Sequence, residues 1–196
     1  MKKRILSAVI AIFVIVCLSV SALAEEETPT EYNNMVSLLM EGETGTVLQH
    51  NGGYEKVAQG TLNKLMTVLL TAEEIESGGL SINDVVTVSS NANAQTGAVV
   101  WLMPGEEITI EELLKSVIIG NANDASVALA EIVGGNEEEF TGMMNARAFE
   151  LGMRNTVFKN PAGYDCAGQY STPYDMALLC RELLKHEFLY KIMNTW

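Results

Sequence analysis

Thr61 and Lys64 stand three residues apart in Thr61-Leu62-Asn63-Lys64, at the head of a stretch with helical spacing. In a helix that offset is about 4.5 Å along the axis and puts both side chains on nearly one face. An amine beside a hydroxyl is the smallest set of groups that makes an oxygen nucleophile, provided burial holds the amine neutral. The same pair also has a plain structural use, a hydroxyl capping a helix and a lysine in solvent. Spacing alone leaves both open. Other chemistry is easier to set aside. His50 and His186 are the only histidines and have no ligand spacing around them, so neither a metal nor a cofactor is expected. A formal charge of -13 is a poor match for nucleic acid or an anionic membrane surface. Cys166 and Cys180 are too few for a disulfide framework, and both the thiol and the oxidised form stay open.

The elements that must position these residues can be read in order. Met35 to Met40 is a β-type run, Glu41 to Gly45 supplies a turn, and Thr46 to His50 returns, which predicts a hairpin. Leu62, Leu65, Met66, Leu69 and Leu70 recur at helical spacing, so an amphipathic helix begins at or beside Thr61 and stops at Gly78-Gly79. Val85 to Ser89 reads as a short strand, followed by a polar loop over 90–97 and a turn at Met103 to Glu106. Thr109 and Glu112 have capping-box spacing at the head of a helix running through Ile119. Asn123 and Asp124 are expected to cap a small-residue helix closed by Gly134-Gly135. Asn136 caps the next, which turns Phe140, Met143 and Met144 to the core and ends at Gly152. Thr172-Pro173, with Asp175, opens one last long helix. The ten methionines, mostly in such stripes, read as core filler.

The two ends carry their own expectations. Lys2, Lys3 and Arg4 precede an apolar run from Ile5 to Val20, and Ala22-Leu23-Ala24 is a small-residue cleavage signature. Residues 1–24 therefore read as a cleavable export signal, the run being short of the roughly 20 residues a spanning helix needs. Bulky Val16 before Cys17 argues against lipid attachment there. Cleavage leaves 172 residues, the size of one domain, and takes the formal charge to -16. Residues 25–34 form an acidic, flexible lead-in, and 35–196 the domain.

From Val36 to Met193 the order of motifs resembles the D-alanyl-D-alanine carboxypeptidases, the low-molecular-mass penicillin-binding proteins. The likeness rests on Glu43-Thr44-Gly45, Lys64-Leu65-Met66-Thr67, Pro104-Gly105-Glu106 and Leu113-Leu114. It continues through Asn123-Asp124-Ala125, Ala128 to Glu131, Leu151-Gly152-Met153, Asn155-Thr156, Asn160-Pro161 and Tyr170-Ser171-Thr172. The resemblance implies an α/β fold of the β-lactamase/transpeptidase type and a serine-type site acting on the D-Ala-D-Ala end of peptidoglycan stem peptides. β-Lactams would bind there too. It also implies a place on the outer face of the cytoplasmic membrane or in the cell envelope. Three motifs carry that chemistry: S-x-x-K for nucleophile and base, S-x-N for proton relay and substrate amide, and K-T-G for the carboxylate.

This sequence departs from all three. Lys64 matches the motif lysine, which puts Thr61 at the nucleophile position, with an added methyl and a stiffer χ1. Asn63 stands where threonine is usual before the lysine. Asn121-Ala122-Asn123 falls at the second motif: Asn123 keeps the substrate-binding amide, but Asn121 replaces the hydroxyl and does not pass a proton as a hydroxyl does. No Lys-Thr-Gly follows. The expectation is a truncated domain, an N-terminal hairpin and a mostly helical region without the C-terminal sheet strands, in which the lone hairpin rests on the Leu62 helix with an open edge. Three readings remain: an active or impaired carboxypeptidase using Thr61 and Lys64, a non-catalytic relative that binds peptidoglycan or a partner, and a truncated gene product.

Overall fold

The structure, a computed structural model, describes residues 35–194, and the export signal and acidic lead-in read from the sequence lie outside them. From Val36 onward the described residues form one compact unit. β1 (Ser37–Met40) and β2 (Val47–Asn51) pair antiparallel, with Leu38 opposite His50 and a bulge between Leu39 and Met40. Their turn is built by Glu41, whose carboxylate accepts from the amides of Glu43 and Thr44 and from the Thr44 hydroxyl. These bonds hold that carboxyl near pKa 2, well below the usual range. The expected hairpin is present as a two-stranded sheet. Its main helical support differs from the expectation. It is α6 (Pro173–Leu183), not the Leu62 helix, and Arg181 of α6 donates to the carbonyls of Gly42 and Glu43.

A 3-10 turn (Gly60–Leu62) leads without a break into α1 (Asn63–Ser77). α1 departs from the amphipathic expectation: residues 66–72 are all buried, the two threonines included, so the helix is wrapped on every side. α3 (Ile110–Ile118), α4 (Asn123–Gly134), α5 (Glu137–Glu150) and α6 all pack on it. Its threonines fit because they are paired. Thr71 Oγ1 donates to the Thr67 carbonyl, and Thr67 Oγ1 to the Pro161 carbonyl. α4 is the second central helix, buried from Asn123 to Ala130, and its small side chains let α1, α3 and α5 approach closely. Gly78, at φ +82, ends α1 as expected.

β3 (Val85–Thr87) is the predicted strand, and its partner β4 (Glu107–Thr109) is an element the sequence reading lacks. The short α2 (Ser90–Asn93) occupies part of the stretch read as polar loop. The capping box of Thr109 and Glu112 is present in full, as are the caps by Asn136 and by Thr172 with Asp175. Of the core residues expected on α5, Phe140 and Met144 are fully buried, but Met143 is 37% exposed and faces outward. The last long helix is two helices, α6 and α7 (Glu187–Met193), broken at Leu184 to His186. Only two non-glycine residues among those described have positive φ, Trp101 at 58° and Asn121 at 52°. Among the described residues no helix is long and apolar enough to cross a membrane.

Candidate active site

Thr61 is exposed on the 3-10 turn, and Lys64 follows in the first turn of α1, only 3% exposed. Both line a cavity of about 250 Å³. Its other walls are Leu62, Leu65 and Val68, Val117 and Ile118 from α3, Asn121, and Leu183 and Met193. The structure thus brings three of the four predicted site residues to one cavity, and its lining is mostly apolar. Lys64 Nζ has no hydrogen-bond partner within it. An amine held among aliphatic walls loses its hydration, and that desolvation lowers its pKa from 10.5 to about 8. At pH 7 roughly a tenth of such an amine is neutral, against about one in a few thousand for an ordinary lysine. The Thr61 hydroxyl is not hydrogen-bonded to it, so the pair is assembled but not engaged.

Asn121 sits in the turn between α3 and α4, with its amide donating to the Val117 carbonyl at 3.1 Å. Its φ of 52° is the left-handed conformation, which asparagine tolerates better than any other residue with a polar side chain of that size. The carboxamide therefore has a backbone reason to be there as well as a chemical one. Asn123 does not cap α4, contrary to the sequence reading: the N-cap is Ala122, with no side-chain cap bond. Asn123 Nδ2 instead donates to the Thr96 carbonyl at 2.6 Å, and its amide to the Ala98 carbonyl at 2.7 Å. Asp124, 1% exposed, reaches the same loop and accepts from the amides of Val100 and Leu102. The bonds expected to close a helix end hold a neighbouring loop in place.

The first and second motifs are joined by a chain of polar side chains. Asn63 Nδ2 donates to Gln169 Oε1 at 2.9 Å and to the Asn160 carbonyl at 3.1 Å. Asn160 Nδ2 and Gln169 Nε2 both donate to the Tyr164 carbonyl. Tyr164 OH donates to the Thr96 carbonyl, the same oxygen that Asn123 holds. Asn63 is the residue that departs from the usual threonine, and only a side chain of its length and two donors reaches both partners. Gln169 and Tyr164 carry no signal in the sequence reading, and Asp124 enters it as a helix cap. Asn160-Pro161 enters through the order of motifs, and nothing local in it points across to Asn63.

Gly163 shows how close that loop lies to the nucleophile position. Its φ is +85°, and a Cβ there would overlap the carbonyl of Gly60 and press on the Thr61 backbone. Gly163→Ala is expected to destabilise the protein by about 2–4 kcal/mol, from positive-φ strain plus displacement of the 3-10 turn. Urea unfolding measures it, and a change under about 0.5 kcal/mol would show the turn to be freely movable.

A family described as D-alanyl-D-alanine carboxypeptidase matches residues 23–195. The chain is 39% identical over 198 residues to the D-alanyl-D-alanine carboxypeptidase DacF of Bacillus subtilis, covering 99% of this chain and 51% of that protein. It is 37% identical over 153 residues to DacC of Escherichia coli, covering 75% of this chain and 38% of that one. Among solved structures, the carboxypeptidase DacD of Francisella tularensis superposes with a TM-score of 0.79 at 33% identity, covering 81% of this chain and 38% of the other. Penicillin-binding protein 6B of Escherichia coli gives 0.77 at 30% identity, covering 83% and 55%. The chain spans about half the length of these relatives or less. Over the part it spans, the chain belongs to the D-alanyl-D-alanine carboxypeptidase family.

Proposed function

We propose that this cavity is an acyl-transfer site of the D-Ala-D-Ala carboxypeptidase type, acting on peptidoglycan stem peptides outside the cell. The observation that carries the reading is the buried, unpartnered amine of Lys64 beside an exposed hydroxyl one helical turn away. In its neutral form Lys64 takes the Thr61 proton as Thr61 Oγ1 attacks the carbonyl of the penultimate D-alanine. The C–N bond then breaks, terminal D-alanine leaves with a proton returned by the amine, and water later cleaves the ester. Asn123 lies beside the same turn, where its amide supports binding of the substrate's peptide group. Asn121 supplies hydrogen bonds but no relay. No Lys-Thr-Gly follows Asn123 in this sequence, so no residue is assigned the grip on the terminal carboxylate. Residues 1–24 support export, and a mature charge of -16 suits a soluble protein of the envelope better than one held on anionic lipid.

A second reading has an observation of its own. Thr61 and Lys64 are not hydrogen-bonded, and the residue at the relay position is a carboxamide, which together favour binding without turnover. One experiment separates the two. Calorimetry with a D-Ala-D-Ala-ended pentapeptide is expected to show saturable binding, and a fluorescent penicillin to label Thr61 slowly. Binding without label would establish the second reading. Neither binding nor label would remove both.

A further inference from the structure

The indole of Trp101 is 79% exposed, and its backbone lies in the left-handed region at φ 58°. Both facts run against what folding alone selects. A left-handed position favours glycine or asparagine, and an aromatic ring left in water contributes no burial. The loop around it is nevertheless fixed. The amides on either side, of Val100 and Leu102, both donate to the buried carboxylate of Asp124. Asn93 Nδ2 donates to the Leu102 carbonyl at 2.7 Å. Leu102 itself is buried, so the chain is anchored inward on one side of the indole and pushes it outward.

The loop that carries the ring runs beside the site, where Asn123 donates to its Thr96 and Ala98 carbonyls. A Cβ on Gly120 would meet Val100 Cγ1 at 3.6 Å, and Gly120 directly precedes Asn121, which lines the cavity. Among the described residues, the two non-glycine residues with positive φ therefore fall on neighbouring segments of chain. Val100 and Met103 on the same loop and Ile119 at the end of α3 are also exposed, so the indole is not the one apolar side chain left in water here. The nearby charges on the chain, Glu106, Glu107 and Glu111, are acidic, and the whole protein is at -13, which disfavours an anionic lipid surface as the occupant. A flat, uncharged, C–H-rich face suits an indole held in this way.

We propose that Trp101 is a specificity-determining residue of the site, stacking on the C–H-rich part of the substrate upstream of the D-Ala-D-Ala bond. The proposal rests on the stem-peptide reading above. Two parts of one substrate present such a face: the aliphatic side chains of the stem, and the sugar ring to which the stem is joined. Fixing the ring on a rigid loop means that binding orders little new structure.

Trp101 and Trp196 are the only tryptophans, so a Trp196→Phe background makes indole fluorescence report on Trp101 alone. Titration of that full chain with a D-Ala-D-Ala pentapeptide, and with the same peptide carrying its disaccharide, is expected to quench or blue-shift the emission. Response to both ligands assigns the contact to the peptide, and response to the disaccharide form alone assigns it to the sugar. Trp101→Gly relieves the left-handed strain, so it is expected to raise the melting temperature while weakening ligand binding at least tenfold. Trp101→Phe should recover most of the affinity. Unchanged affinity in Trp101→Gly overturns the proposal, as does absence of saturable binding of either ligand to the wild-type chain. Loss of binding to phosphatidylglycerol vesicles in place of the glycopeptide also overturns it. Penicillin labelling of the wild-type chain reports on Thr61 separately: no label, with the Trp101 effect intact, removes the catalytic reading and leaves this one standing.

Discussion

Replacing Lys64 with methionine is expected to make the protein more stable at pH 7, by about 2 kcal/mol. The folded state holds the amine near pKa 8 and the unfolded chain near 10.5. Between those values the unfolded chain binds more protons, so stability rises with pH across that window, by roughly 3 kcal/mol in total. Below pH 8 the whole penalty is present, and above 10.5 it is gone. Methionine fills a similar volume without a charge, and such a swap costs less than about 1.5 kcal/mol in packing. Urea unfolding of both proteins at pH 7 and at intervals up to pH 10 checks this. The Cys180 thiol, whose pKa burial raises, acts in the opposite direction but equally in both proteins, and cancels in the difference. Parallel pH profiles would mean that the amine is solvated and unsuited to act as a base. The expected result has a functional meaning: a lysine that costs stability at neutral pH is retained at a position where only an amine accepts a proton.

Thr61→Ser is expected to speed acylation by a fluorescent penicillin by about 5- to 150-fold, and with less change in the affinity of the preceding complex. The extra methyl on the attacking oxygen's carbon stiffens χ1 and crowds a cavity of about 250 Å³, at a cost of roughly 1–3 kcal/mol in the transition state. Serine turns freely toward Lys64, the contact that the wild-type geometry leaves unmade. In both proteins the rate should climb with pH toward a plateau above about 8, as the Lys64 amine becomes neutral. Stopped-flow or gel-based labelling across pH 6 to 9 measures both quantities. If serine brings no acceleration, the limiting defect is not the methyl but the absent hydroxyl at Asn121. The Asn121→Ser change is the less simple of the two, because serine is less at ease than asparagine at φ 52°.

Features written in neighbouring residues were legible from sequence. The capping box of Thr109 and Glu112, the caps at Asn136 and Thr172, and the stop at Gly78 each depend on contacts within a few positions. The errors lie where a distant partner decides. β4 is three residues long and exists because Val85 to Thr87 pairs with it from some twenty positions earlier. Asn123 and Asp124 have the chemistry of caps, but the loop over 96–102 offered buried amides and a carbonyl that outcompeted the helix end. α1 looked amphipathic because Thr67 and Thr71 are polar in type. Pairing to carbonyls let them be buried, and the helix became central. The positions of Thr61, Lys64 and Asn121 followed from motif order, and the cavity joins them. The apolar walls that tune the lysine, and the strained Trp101, come from residues with no motif to announce them.

The link from Asn63 through Gln169, Asn160 and Tyr164 to the oxygen held by Asn123 consists of carboxamides, a phenol and main-chain carbonyls. Dissolved ions screen charges and leave such neutral hydrogen bonds almost untouched. The relative placement of the turn that carries Thr61 and of the Asn123 carboxamide is therefore indifferent to ionic strength, while the approach of any charged ligand to so acidic a protein is not. A salt titration of the labelling reaction consequently divides it into two parts: the encounter varies with added electrolyte, and the unimolecular step that follows stays constant.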